Sequence, residues 1–202
     1  GITISGDAKV NATGGKRSAG IGGGDEGSGR DIEITGGKVT ASSKSDGAGI
    51  GGGNSGDGEN ITISGGEVTA TGGSDEEGLS SGYGAGIGGG YKGDGKRIKI
   101  TDGTVDAASD KGAGIGGGDD GNGENIAISG GKVTAKSSKN GAGIGGGMWG
   151  KGKDITVSGD AQLKVQGGVG DYFDGPGAGI GDGGSRPKGS TGGSPIPGAE
   201  VG

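Results

Sequence analysis

Apolar residues along this chain fall in pairs separated by one position, and the pairs recur in a fixed order. Ile-x-Ile, Val-x-Ala and Ala-Gly-Ile follow one another, with Gly-rich stretches between them. In the clearest unit they are Ile61-Thr-Ile63, Val68-Thr-Ala70 and Ala85-Gly-Ile87. A spacing of two puts both apolar side chains on one face of an extended segment. The segments are short and β-branched, and Gly follows each of them, which argues against helices. Each unit therefore reads as three short strands joined by turns.

The units repeat. The Ala of the third pair stands at positions 19, 48, 85, 113, 142 and 178, at spacings of 29, 37, 28, 29 and 36. A recurring unit of this length marks a solenoid. Three strands per rung, about six rungs of roughly 29 residues and inward-facing apolar columns predict an all-β, parallel β-helix over residues 1–184. Parallel crossovers make it right-handed. One rung buries too few side chains to offset the ordering of its backbone, so stability must come from stacking.

The outward positions differ between the three sheets. The first shows Thr3, Glu33, Thr62, Lys99, Ala127 and Thr156, and the second Asn11, Thr40, Thr69, Asp106, Thr134 and Lys164. The third shows only Gly20, Gly49, Gly86, Gly114, Gly143 and Gly179. That face is expected to be bare backbone, a surface for self-association. Two units are longer than the rest at the same corner, through insertions at Gly72–Gly82 and Gly167–Pro176. The insertions and their flanks bring residues scarce elsewhere: Asp75, Glu76, Glu77, Leu79, Tyr83, Asp171, Tyr172, Phe173 and Asp174. Rings stack on apolar faces and carboxylates accept hydroxyl or ammonium protons, so this corner suits a sugar or a basic peptide. Tyr91, Met148-Trp149 and Tyr172-Phe173 also fall at corners; they read as loop anchors, with a stacking platform for glycans as the alternative. Residues 185–202 carry three of the four prolines and read as a linker or terminal cap.

Composition alone points elsewhere. With 64 Gly in 202 residues the chain looks low-complexity, and only the fixed phase of its apolar residues argues for a folded core. There is no Cys and no His, so no disulfide and no thiolate or imidazole metal site is expected, and no cofactor. A net charge of −6 with interleaved signs does not suit nucleic acid. No apolar stretch approaches the ~20 residues of a membrane-spanning helix, so no membrane insertion is expected. Gly1 opens within a unit, as in a piece of a longer chain.

Several motifs carry less than their letters suggest. Gly47-x-Gly49-x-x-Gly52 has the dinucleotide spacing, but no helix is predicted after it. The turns Gly56-Asp-Gly-Glu-Asn60 and Gly121-Asn-Gly-Glu-Asn125 are similar to calcium-binding nonapeptide repeats. Here the aliphatic follows Asn60 at once and the period is longer, so the Asp and Asn side chains are assigned to turn backbone. Neither exposed sheet gathers carboxylates with a base, so no enzyme is expected. Glu33, Lys99, Asp106 and Lys164 interrupt the Thr rows that an ice-binding face needs.

The unit formed by Ile61–Ala70 and Gly84–Gly90 resembles the Gly-rich ITISGGxVTA…GAGIGGG β-helix repeats of large secreted or cell-wall-attached surface proteins of Gram-positive gut and rumen bacteria. The resemblance covers roughly residues 1–184. It implies an extracellular, non-catalytic β-helical stalk or adhesin segment at a cell surface, often beside carbohydrate-binding modules. The inserted loops around Tyr83, Tyr172 and Phe173 are expected to offer a site for a glycan or a host surface protein. Two alternatives stay open: a carbohydrate-binding module using the inserted loops, and an ice-binding β-solenoid.

Overall fold

A computed structural model describes residues 1–73, 82–172 and 174–185. Among them there is no helix, and every strand pairing is parallel. The first segments stack as β1 (Ile2–Ile4), β4 (Gly29–Ile34), β7 (Gly58–Thr71), β9 (Gly95–Ser109), β11 (Gly123–Ile128) and β14 (Gly152–Val157). The second segments stack as β2 (Lys9–Thr13), β5 (Lys38–Ser42), the later halves of β7 and β9, β12 (Lys132–Ser137) and β15 (Gln162–Gln166). The third form a sheet of six: β3 (Ile21–Gly22), β6 (Ile50–Gly51), β8 (Ile87–Gly88), β10 (Ile115–Gly116), β13 (Ile144–Gly145) and β16 (Ile180–Gly181). The chain is a β-solenoid.

Register follows the apolar pattern. Ile32, Ile61, Ile98, Ile126 and Ile155 lie on one another, as do Val39, Val68, Val105, Val133 and Leu163. A slip of one residue would turn each column outward, so burial fixes the pairing. In the middle rungs the Ile of all three columns are 0% exposed. The last rung is open: Ile155, Leu163 and Val165 are half-buried, while Val157 and Ile180 are 44% and 46% exposed.

Three features depart from the sequence reading. In rungs three and four the first two segments run on as single strands, β7 and β9, paired through an irregular register at Ser64–Glu67, where Gly66 and Gly103 take φ of 89° and 100°. The third segment is only two residues of strand, Ile-Gly. Its glycines are not a bare outer face. Gly49, Gly86, Gly114 and Gly143 are buried. A Cβ on Gly86 would lie 2.6 Å from the Gly114 oxygen and 2.7 Å from the Ala108 nitrogen. The third segment packs against the end of the second strand one rung on, which fills the space a side chain would need. The expected self-association through a Gly-rich face loses its surface.

The turn polar groups bond along the axis. Asp94 N–H donates to Asp57 Oδ1 (2.9 Å), Asn122 N–H to Asp94 Oδ1 (2.8 Å) and Lys151 N–H to Asn122 Oδ1 (2.9 Å). These side chains do satisfy turn backbone, but that of the following rung. Lys96 Nζ lies 2.8 Å from Asp57 Oδ2 and 3.0 Å from Asp94 Oδ2. Burial alone would raise the Asp57 pKa; the Lys96 and Asp94 hydrogen bonds and the charges of Lys96 and Arg30 outweigh it and hold it below the usual carboxylate value.

Candidate functional site

Each rung leaves its second strand, crosses a loop, forms the Ala-Gly-Ile segment and leaves through a Gly-rich turn. The loop of one rung and the turn of the next meet at one corner. Asn54 N–H donates to the Arg17 carbonyl (2.8 Å), Tyr91 to Asp46 (2.7 Å), Asp119 to Tyr83 (2.7 Å), Met148 to Lys111 (2.9 Å) and Gly184 to Asn140 (2.6 Å). The same hydrogen bonds bring the flanks of both insertions to this corner. Lys111 N–H donates to the Gly82 carbonyl, Lys139 N–H to Asp110, and Gly170 N–H to Lys139.

Side chains fill the corner from bottom to top. Arg17 pairs with Asp25 at 3.1 Å. The rings of Tyr83 and Tyr91 lie 5.1 Å apart at 50°. The Lys111 ammonium sits 5.2 Å from the Tyr83 ring and Lys92 5.1 Å from Tyr91, both within cation–π range. Above them Asp119 is 2% exposed, Met148 3% and Asn140 0%. Burial pushes the Asp119 carboxyl up to about 7, with Asp120 and Asp174 acting the same way and Lys111 against them. Asp119 Oδ1 and Asn140 Oδ1 are buried acceptors without a hydrogen-bond partner among the described residues.

Trp149 crowns the corner. Its indole N–H donates to Asp174 Oδ1 at 3.0 Å. Asp174 is 8% exposed and is held in a tight turn: its N–H donates to Asp171 Oδ1 (2.9 Å), and Asp171 N–H donates to its carbonyl (2.9 Å). Asn140 Nδ2 donates to the Asp174 and Gly175 carbonyls at 3.3 and 3.4 Å. Trp149 itself has φ of 65°, a left-handed conformation.

The expected site residues thus separate. Tyr172 is 68% exposed and Asp171 is exposed in the turn. Asp174 is not the open acceptor that was expected, because it is buried and holds the Trp149 indole. Tyr83 is half-buried against Tyr91 and Lys111 rather than displayed. Asp75, Glu76, Glu77, Leu79, Phe173 and the stretch 186–202 lie outside the described residues. Asp119 and Asn140 were missed as parts of the site, and the sequence reading has Trp149 as a corner aromatic without grouping it with the inserted loops. The available signal was Trp149 itself, the single Trp of the chain, standing where the corresponding residues of other units are Glu26, Ser55, Lys92 and Asp120.

The repeating unit seen in the structure, from the first strand through the Gly-rich turn, matches the sequence model of the beta helix repeat. The matched residues are 2–25, 32–54, 61–91, 98–119 and 126–148, more than half of the chain. The chain belongs to the beta-helix repeat family. No curated protein and no solved structure matches it. The five matched blocks of the beta-helix repeat each end at or next to the turn residue whose N–H joins the corner, or, in the first block, at its counterpart Asp25. The sixth rung lies beyond them.

Proposed function

We propose that this beta-helix repeat chain is a non-catalytic structural segment of an extracellular, cell-surface protein, a rigid solenoid that presents the loop corner as an adhesive contact. One observation carries this reading. The exposed large hydrophobics among the described residues are Trp149, Val157, Val169, Tyr172 and Ile180. Val157 and Ile180 belong to the open last rung, and the other three stand at the loop corner. The sheet faces, by contrast, carry polar columns such as Thr40–Thr69–Asp106–Thr134. Exposed apolar groups grouped at one place mark interaction sites. The surface setting is supported by the resemblance of the repeats to those of wall-attached proteins.

The test compares the chain with a form in which 72–82 is replaced by the short loop of rung four and 167–176 is trimmed likewise. Both should fold, because longer loops add only modest closure entropy. Labelled protein applied to glycan and protein arrays should bind through the corner, and the trimmed form should lose that binding. Equal binding by the two forms overturns the assignment.

A further inference from the structure

We propose that the corner binds the pyranose rings of a glycan, with Trp149 as the stacking surface and Asp174 as the residue that positions it; this rests on the corner being the contact site. The first argument is conformational. Trp149 occupies the left-handed region at a position that Glu26, Ser55, Lys92 and Asp120 fill in the other rungs. A bulky L-residue is disfavoured there. Trp149 nevertheless stays 42% exposed, so part of the ring faces solvent. A polar residue or Gly would serve the backbone better.

The second argument is the support behind the ring. The indole N–H is committed to Asp174 Oδ1 at 3.0 Å, and Asp174 is locked by its turn with Asp171 and by Asn140. The turn belongs to the rung-six insertion. That same turn carries Tyr172, 68% exposed, and the exposed Asp171 carboxylate. The insertion therefore orients one ring and carries a second exposed ring, Tyr172, in the same turn.

The third argument concerns ligand class. An exposed ring held by a turn that carries polar groups matches a ligand with an apolar C–H face and hydroxyl rims, which a pyranose has. A stable protein interface needs about 800 Å² on each side, far more than Trp149, Val169 and Tyr172 offer.

Trp149 is the chain's only Trp, so intrinsic fluorescence reports this site alone. The whole chain is titrated with cellohexaose, xylohexaose, chitohexaose and mannohexaose while emission and acrylamide quenching are followed. At least one should give a saturable blue shift and reduced quenching. Trp149→Asn, whose new side chain tolerates the left-handed turn, should weaken that binding by calorimetry at least about 10-fold while the chain keeps its β-sheet circular dichroism and still melts cooperatively. Asp174→Ala keeps the indole but removes the acceptor of its N–H, and should shift emission to the red and weaken binding about 10-fold. Silence across the panel overturns the glycan assignment. A shift with an oligolysine peptide instead does the same but leaves the corner as the contact site. Undiminished glycan binding by Trp149→Asn overturns the stacking role, and undiminished binding by the trimmed form overturns the corner reading.

Discussion

At Gly86 the missing side chain is a requirement, since carbonyl and amide groups of two neighbouring segments stand within 2.7 Å of where its Cβ would be. Gly24 has open space at the same distance range. Gly86→Ala should therefore destabilise by roughly 1–3 kcal/mol, and Gly24→Ala by less than about 0.5 kcal/mol, in denaturant melts. Ile87, beside it, is 0% exposed, and Ile87→Asp would bury an unpaired carboxylate at a loss of at least ~4 kcal/mol. Unchanged melting of that variant contradicts the inward placement of the third column. Asp119 acts on pH in the reverse sense to most carboxylates. Its folded pKa lies above its ordinary 3.8, at about 7, so the folded state holds a proton that the unfolded state has released. Its contribution is fully present below pH 3.8 and is lost as pH rises through about 7. Asp57 and Asp182 are lowered, so what they contribute is present above their unfolded pKa and lost on acidification. Asp119→Asn removes the neutral-pH penalty. It should raise the melting temperature at pH 8 by a few degrees, at about 2–4 °C per kcal/mol, and leave it little changed at pH 4. An equal shift at both pH values refutes the titration of Asp119.

Along the first ladder one column reads Arg30, Glu59, Lys96, Glu124, Lys153, each directly on the next. Arg30 and Glu59 approach to 3.0 Å, and Lys153 and Glu124 to 3.3 Å. Singly, exposed pairs contribute little. Strict alternation nevertheless makes each rung complementary to its neighbours. Lys96→Glu would set three acids in succession and leave Asp57 and Asp94 without their shared cation. A loss of about 1–3 kcal/mol is expected, larger at low salt than at high, in paired denaturant titrations. The strands themselves were readable from the sequence, because a spacing of two between Ile61 and Ile63 fixes conformation, face and register together. The corner was only partly readable. Insertions in two units pointed to it, but the bonds that build it run from turn N–H groups such as that of Asp119 to loop carbonyls such as that of Tyr83, and backbone pairing leaves no mark on side-chain type. The third column misled for a related reason. Alternation shows that Gly86 faces away from Ile87, not that another strand's backbone waits there.

At the scale of the whole solenoid, each rung touches its neighbours in the stack, so stability should grow by increments. A chain ending after Gly150 lacks β14, β15 and β16. It should still unfold cooperatively, with a lower denaturant midpoint and a smaller m-value. Complete unfolding of the shortened chain would show that the last rung holds the others. The left-handed turn position recurs once per rung, at Glu26, Ser55, Lys92, Asp120 and Trp149, with φ between 57° and 65°. Successive positions are spaced by the rung pitch, about 4.8 Å. The solenoid is in this sense a ruler with one exchangeable mark per division. Lys92→Trp would set a second indole two divisions from Trp149, about 10 Å along the axis, where a polymer held at one mark meets the other at high local concentration. Valency can then be written along the axis one substitution at a time, while the core columns stay as they are.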